Sequence, residues 1–169
     1  MLRKTDFVWI IAFPIYQIIG TLRHEGGHAI AALLSGVSVT EFVFWPSITK
    51  YGFYWGYVRV AGPTGWAFLA APYFIDLLTF ALFFSICTWA LIQRKWIWLN
   101  LVIIGLISPF VNSFYNYWGR AGSNNDVGKL LEELPGKIVH GYFLLTLLVY
   151  VLGIFLVFRF SRSTQLMKT

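Results

Sequence analysis

Two histidines lie four positions apart at the end of an apolar stretch, and a glutamate directly follows the first of them. They are His24, Glu25 and His28, in the sequence RHEGGHAI. On a helix, residues i and i+4 lie on one face about one turn apart, so two imidazoles can bind one metal ion. The glutamate lies close enough to take a proton from water that the metal holds. The spacing therefore predicts a zinc site with Glu25 as general base.

The alternative interpretation of this group is structural, with two unrelated helical histidines whose hydrogen bonds are made by neighbouring residues. The chain has only 3 histidines, and two of them fall in this one motif. Ionisable groups inside membrane segments are costly and usually serve a function. Both observations favour the metal site.

A catalytic zinc ion usually takes three protein ligands, so a third ligand must come from elsewhere in the chain. Asp126 is the first candidate, because it lies in a polar stretch reached after two further apolar segments. Two crossings of a membrane return the chain to the side on which the first helix ends. Asp76, in the middle of the second apolar segment, is the main rival, either as a ligand or as a hydrogen-bonded structural acid. His140, at the start of the last apolar segment, is a further alternative.

The composition indicates which kind of protein must position these residues. The chain is 58% hydrophobic, 20% aromatic and only 12% charged, whereas a soluble domain is about 25% charged. We therefore expect an integral, multi-pass membrane protein whose excess apolar surface faces the lipid bilayer. The net charge of +6 comes from basic residues at segment ends, as in membrane helices. This distribution argues against nucleic acid as a partner.

Four long apolar segments predict an all-α polytopic membrane protein, with about four transmembrane helices and a small β-hairpin or sheet after the first helix. We expect strands near Val37–Phe44 and Phe53–Val60, where β-branched and aromatic residues are frequent. A very short turn at 93–95 should join the second and third helices. The chain is expected to form a single membrane-embedded domain, 1–169. Its predicted parts are a helix at 6–35, a β segment at 37–60, helices at 65–92 and 96–118, a polar loop with a short helix at 119–136, and a helix at 138–160.

The order of these motifs resembles the site-2 protease family of intramembrane zinc metalloproteases, in a minimal, four-span form. The resemblance rests on RHEGGHAIAALLSG, then the β-rich VSVTEFVFWPS, then VRVAGPTGWAFLA entering the next span, and then an acid after a third span. It covers about Gln17 to Asp126. The resemblance implies that His24, His28 and Asp126 bind Zn²⁺, that Glu25 is the general base, and that the β segment receives an unwound substrate.

The chain departs from the pattern of that family around the aspartate. The family usually has an asparagine eight positions before the acid, a proline between them and a glycine after it. Here Trp118 and Val127 occupy the first and last of these positions, and no proline lies between Asn112 and Asp126. Four asparagines could support the substrate or the oxyanion, and the sequence does not choose among Asn112, Asn116, Asn124 and Asn125.

The sequence thus predicts a zinc metalloendopeptidase that hydrolyses peptide bonds of transmembrane protein or peptide substrates, located in the cell (plasma) membrane. The alternative is a non-catalytic membrane scaffold or chaperone of the same fold that binds client transmembrane helices; the intact Glu25 argues against it. A metal carrier is disfavoured, because three histidines and few intramembrane acids make a poor ion pathway. Charge counts and the resemblance point to opposite orientations, which leaves orientation open.

Overall fold

The computed structural model describes residues 4–50, 52–89, 95–119 and 125–166. Within these ranges the chain is mostly helical, with short strands after the first helix, and the predicted fold class is confirmed. The chain divides into two compact units, Met1–Pro72 and Tyr73–Thr169. The helices are α1 (Lys4–Leu34), α2 (Trp66–Trp89), α3 (Lys95–Val102), α4 (Ser108–Trp118), α5 (Asp126–Glu133) and α6 (Gly136–Leu166), and the strands are β1 (Val39–Val43), β2 (Ser47–Thr49), β3 (Gly52–Tyr54) and β4 (Tyr57–Val60).

In the first unit, α1 ends in a backbone motif that turns the chain sharply into the first strand. The N–H of Val37 donates to the carbonyl of Ala32 at 2.9 Å, and that of Gly36 donates to Leu33 at 3.1 Å. Gly36 has φ +73°, a left-handed conformation that a residue without Cβ adopts without strain. The motif satisfies two carbonyls of the last helical turn and fixes where α1 stops.

The β segment of the first unit contains two strand pairs where the sequence predicted two longer strands. β1 pairs with β4 in antiparallel fashion, and β2 pairs with β3 inside the loop between them. Pro46 lies at the break between β1 and β2, and proline cannot donate a hydrogen bond to a strand ladder. The predicted hairpin is therefore present, but it is interrupted at this point.

Polar side chains also link the outer strand pair. Arg59 Nη1 lies 2.9 Å from Glu41 Oε2, and the Tyr57 hydroxyl donates to Glu41 Oε1 at 2.5 Å. The hydrogen bond to Glu41 raises the pKa of Tyr57 above its ordinary value, because only the protonated phenol can donate. These contacts hold β1 and β4 in register.

Three helical stretches of the described residues are long and apolar enough to cross a membrane: Trp66–Trp89, Lys95–Trp118 and Gly136–Phe160. Their outward-facing side chains include Leu78, Leu145 and Phe155, which are 70%, 64% and 63% exposed. Such exposure of large apolar groups suits a lipid environment. The helix α1 is not among these three, so its membrane crossing stays a prediction. The end predicted for the second helix, at Ile92, lies outside the described residues.

The third predicted span is helical over its whole length but contains a π-helical turn at Ile103–Ile107, between α3 and α4. Pro109 follows this turn. Proline has no N–H to donate, and its ring clashes with the carbonyl four residues earlier, so the helix widens there. The N–H of Ser108 accordingly donates to Ile103, five residues back.

The core of the second unit is aromatic. Tyr73, Phe143 and Tyr150 are almost completely buried, and the rings of Tyr73 and Phe143 meet edge to face with centroids 4.8 Å apart. The short helix α5 contributes Val127 and Leu130 to the buried set. Most of the predicted polar loop before α5, at 120–124, lies outside the described residues.

Candidate metal and peptidase site

The predicted motif lies within the continuous helix α1, six to ten residues before its end at Leu34. The imidazole rings of His24 and His28 lie 5.1 Å apart between centroids and are nearly perpendicular, at 85°. A ring nitrogen of one lies within 4.8 Å of a ring nitrogen of the other. Two ligands of a tetrahedral zinc ion are about 3.4 Å apart. Small side-chain rotations would therefore bring this pair onto one ion.

The ring of His28 is oriented by the backbone of a different helix. Its Nδ1 lies 2.8 Å from the carbonyl oxygen of Phe68. A carbonyl only accepts, so Nδ1 carries the proton and donates it, and the lone pair of the neutral ring is on Nε2. His28 is 5% exposed, and its ring lies 4.5 Å from that of Phe68. A second hydrogen bond of this kind is the usual way in which proteins orient a metal-binding histidine.

The glycine before His28 permits this contact. A Cβ placed on Gly27 would lie 2.7 Å from the Cα and 2.9 Å from the nitrogen of Pro72, both backbone atoms of α2. Only a residue without a side chain lets the two helices come so close. The neighbouring Gly26 has nothing within 4 Å of such a Cβ. The two glycines of the motif therefore have different roles, and only Gly27 is required for helix packing.

Glu25 is buried, with 8% of its surface exposed, and the β segment packs against it. A Cβ on Gly56, just before β4, would lie 3.0 Å from Glu25 Cγ, 2.7 Å from the carbonyl oxygen of Val43 and 2.4 Å from Thr21 Cγ2. The backbone at Gly56 thus packs directly against the side of α1 that carries Thr21 and Glu25. This packing encloses the side chain of Glu25 between α1 and the backbone that leads into β4, and its role as general base stays a prediction.

The predicted third ligand, Asp126, lies in the second unit as the first residue of α5. Its side chain is half-buried. Asn125 precedes it as the N-cap, and the Asn125 side-chain oxygen accepts a hydrogen bond from the N–H of Gly128 at 3.0 Å. The ligand role of Asp126 stays a prediction.

The rival Asp76 is completely buried in the second unit. Its Oδ2 accepts a hydrogen bond from the side chain of Asn112 at 2.7 Å. The side chain of Asn116 in turn donates to Asn112 Oδ1 at 3.1 Å. Asp76 thus has the environment of a hydrogen-bonded structural acid, while its alternative role as a ligand is a prediction without a test. Asn124, another predicted candidate, lies outside the described residues.

His140 is exposed at the start of α6. Its Nδ1 lies 3.0 Å from the hydroxyl oxygen of Tyr117. This contact occupies one ring nitrogen with a neighbour of its own unit.

Sequence reasoning missed three residues that shape this site: Phe68, Gly27 and Gly56. Phe68 acts through its carbonyl, which every residue type has, so no sequence signal could have identified it. Gly27 does carry a signal, because small residues on a helix mark places where membrane helices pack closely, whereas Gly56 lies outside any helix. Which of several glycines is in contact with a neighbour depends on the fold.

The donor set fits zinc. Two imidazoles one helical turn apart, one of them oriented through its second nitrogen, are typical ligands of this ion, and a carboxylate is a common third. The buried Glu25 beside them matches the base of water-activating sites.

Fold and site together define an integral membrane protein with a helix-borne HExxH group. Residues 4–120 match the family model described as Peptidase M50B-like. Because this match covers more than half of the chain, the protein belongs to that family, and its resemblance to the site-2 proteases is confirmed. The matched region includes His24, Glu25 and His28 and ends before Asp126. Comparisons with curated proteins and with solved structures gave no match.

Proposed function

We propose that this protein is an intramembrane zinc metalloprotease that hydrolyses peptide bonds of membrane-spanning substrates in the cell (plasma) membrane. The observation that carries the proposal is the HEGGH group on α1, in which Glu25 and His28 are buried and His28 is oriented by the Phe68 carbonyl at 2.8 Å. An orienting hydrogen bond of this kind serves metal binding directly. Membership of a peptidase family supports the same reaction class.

In this proposal His24, His28 and Asp126 hold the metal, with Nε2 as the ligand atom of His28. A bound zinc ion supplies an acidified water molecule and polarises the substrate carbonyl. Glu25 accepts the proton of the attacking water and delivers it to the leaving amine. Its burial between α1 and the backbone at Gly56 keeps the carboxylate at a fixed position for both transfers.

The substrate must be locally unwound, because a helix hides its carbonyl groups in hydrogen bonds. The β segment next to Glu25 suits this requirement, since an extended peptide can add to a strand edge. β1 and β4 form a sheet of two strands, and in this proposal the extended substrate adds to an edge of that sheet.

The test is cleavage of a single-span model peptide with a helix-destabilising Gly-Pro pair in its span, co-reconstituted in liposomes. Wild type and Glu25→Gln should hold equal zinc, and Glu25→Gln should cleave about 100- to 10,000-fold more slowly, because the proton acceptor is lost. Glu133→Gln, which changes an exposed carboxylate of α5, is the control and should cleave normally. Undiminished cleavage by Glu25→Gln would overturn the mechanism. A zinc-loaded wild type that binds the peptide without cutting it would favour the scaffold alternative.

A further inference from the structure

A series of asparagines in the second unit connects the buried Asp76 with the start of α5. We call Asn112, Asn116 and Asn125 the amide relay. Asn112 donates to Asp76 Oδ2 at 2.7 Å, and Asn116 donates to both Asn112 Oδ1 at 3.1 Å and the Asn112 carbonyl at 3.0 Å. Asn125 donates to the Asn116 carbonyl at 3.2 Å. The relay therefore runs from the middle of α2, along one face of α4, to the N-cap of α5.

Asn125 uses both ends of its amide group. The oxygen accepts from the N–H of Gly128 and caps α5, while the nitrogen donates to the last turn of α4. A serine or aspartate would cap the helix equally well, but neither could donate an amide hydrogen to Asn116. The choice of asparagine is explained by this second bond, which attaches the first turn of α5 to α4.

The residue held by this attachment is Asp126, the first residue of α5. Asn125 itself has extended backbone, with φ −102° and ψ 179°, so the chain changes direction immediately before Asp126. The first turn of α5 is further fixed by Val127, which is completely buried. The backbone on both sides of the Asp126 Cα is thus held, which limits where its carboxylate can go.

We infer that Asn125 is a positioning residue for the metal site, and that the amide relay fixes the predicted ligand Asp126 relative to the buried Asp76. This inference rests on the proposed function, in which Asp126 binds zinc. It assigns Asp76 and the asparagines a supporting role within the second unit. Partners that orient a metal ligand typically contribute 10- to 100-fold to metal affinity.

The experiment measures zinc affinity of the detergent-purified protein by competition with a chromophoric chelator. Asn125→Ser keeps the helix cap and removes the bond to Asn116, so zinc should bind about 10-fold more weakly. Excess zinc should then restore peptide cleavage, a rescue that a general folding defect would not show. The matched control is Asn100→Ala, which removes an asparagine that donates to Trp96 within α3 at 2.7 Å, and it should bind zinc like wild type.

Asn125→Asp separates positioning from charge. It keeps the cap and the side-chain size, but it places an acceptor opposite the Asn116 carbonyl. If Asn125 positions Asp126, zinc binding by Asn125→Asp should be weaker than in wild type. If only the added negative charge mattered, zinc binding should be stronger. Visible spectra of the cobalt-substituted protein should also change in both Asn125 variants, because the coordination geometry is altered.

The outcomes separate this inference from the proposed function. Wild-type zinc affinity in Asn125→Ser, together with loss of zinc in Asp126→Ala, would overturn the positioning role and leave the protease proposal intact. Wild-type affinity in Asp126→Ala would remove Asp126 from the ligand set, and the inference would fall with it. Weaker binding in Asn125→Ser and Asp126→Ala, with Asn100→Ala unchanged, supports both.

Discussion

The two glycines inside the HEGGH motif differ in how closely atoms of other residues approach them. The space around Gly26 is open, whereas Gly27 faces the backbone of Pro72 at distances that no Cβ could tolerate. Phe68, whose carbonyl orients His28, is four residues before Pro72 on the same helix. The packing at Gly27 therefore maintains the hydrogen bond that orients a predicted zinc ligand.

Gly27→Ala is expected to destabilise the protein by about 1–3 kcal/mol, the usual effect of overpacking, and to lower zinc content. Gly26→Ala introduces the same side chain one position away and should be neutral or slightly stabilising, because alanine favours helix by about 1 kcal/mol over glycine. Thermal unfolding in detergent and metal analysis of both variants measure the contrast. Equal behaviour of the two variants would contradict the assignment of close packing to Gly27 alone.

At this scale the sequence alone was enough to predict His24, Glu25 and His28 as site residues, because their spacing has a direct chemical meaning on any helix; their roles stay a prediction. It was not sufficient for the residues that hold them. Phe68 contributes a main-chain atom, and Gly27 differs from Gly26 only through the position of a distant proline. Asn125 was one of four candidate asparagines, and only its two hydrogen bonds distinguish its role.

At the scale of elements, the β segment packs on α1 through Gly56. The atoms nearest to a Cβ at this position belong to Thr21, Val43 and Glu25, and the Val43 carbonyl is backbone that cannot rotate away. This contact sets the distance between the strand pair and the helix that carries the motif.

Gly56→Ala should therefore push β4 away from α1 and disturb Glu25. We expect a loss of about 1–3 kcal/mol of stability and slower cleavage, with the histidine pair still binding zinc. The control is Gly62→Ala, since a Cβ there would make only ordinary contact, 3.6 Å from Val37 Cγ1. Unfolding curves and cleavage rates compare the variants, and a fully active, stable Gly56→Ala protein would show that this packing is not needed.

The predicted elements were most accurate where hydrophobic runs were long. They were least accurate where backbone hydrogen bonding determines the type and extent of an element. The sequence located the apolar helices and the β segment, and the predicted end of the first helix at 35 lies one residue beyond Leu34. It did not indicate the second strand pair, β2 with β3, because runs of three residues carry little periodicity. It also did not indicate the π-helical turn before Pro109, where helical continuity depends on the surrounding packing.

At the scale of the whole molecule, the composition and the three apolar helices within the described residues define a membrane protein, and the match over residues 4–120 defines a peptidase family. What converts family membership into the proposed activity is metal bound at the motif on α1. Family membership alone does not determine whether metal is bound, whereas the geometry of His24 and His28 predicts that they bind zinc.

The most direct test of the account is therefore elemental analysis of the protein purified in detergent without chelators. Wild type should hold about one zinc ion per chain, as expected for a mononuclear catalytic site. His24→Ala and His28→Ala should each lose it. His140→Ala, which changes the one histidine outside the motif, should retain it. A wild type without zinc, or variants at His24 and His28 that keep a full complement, would contradict the zinc protease account at its centre.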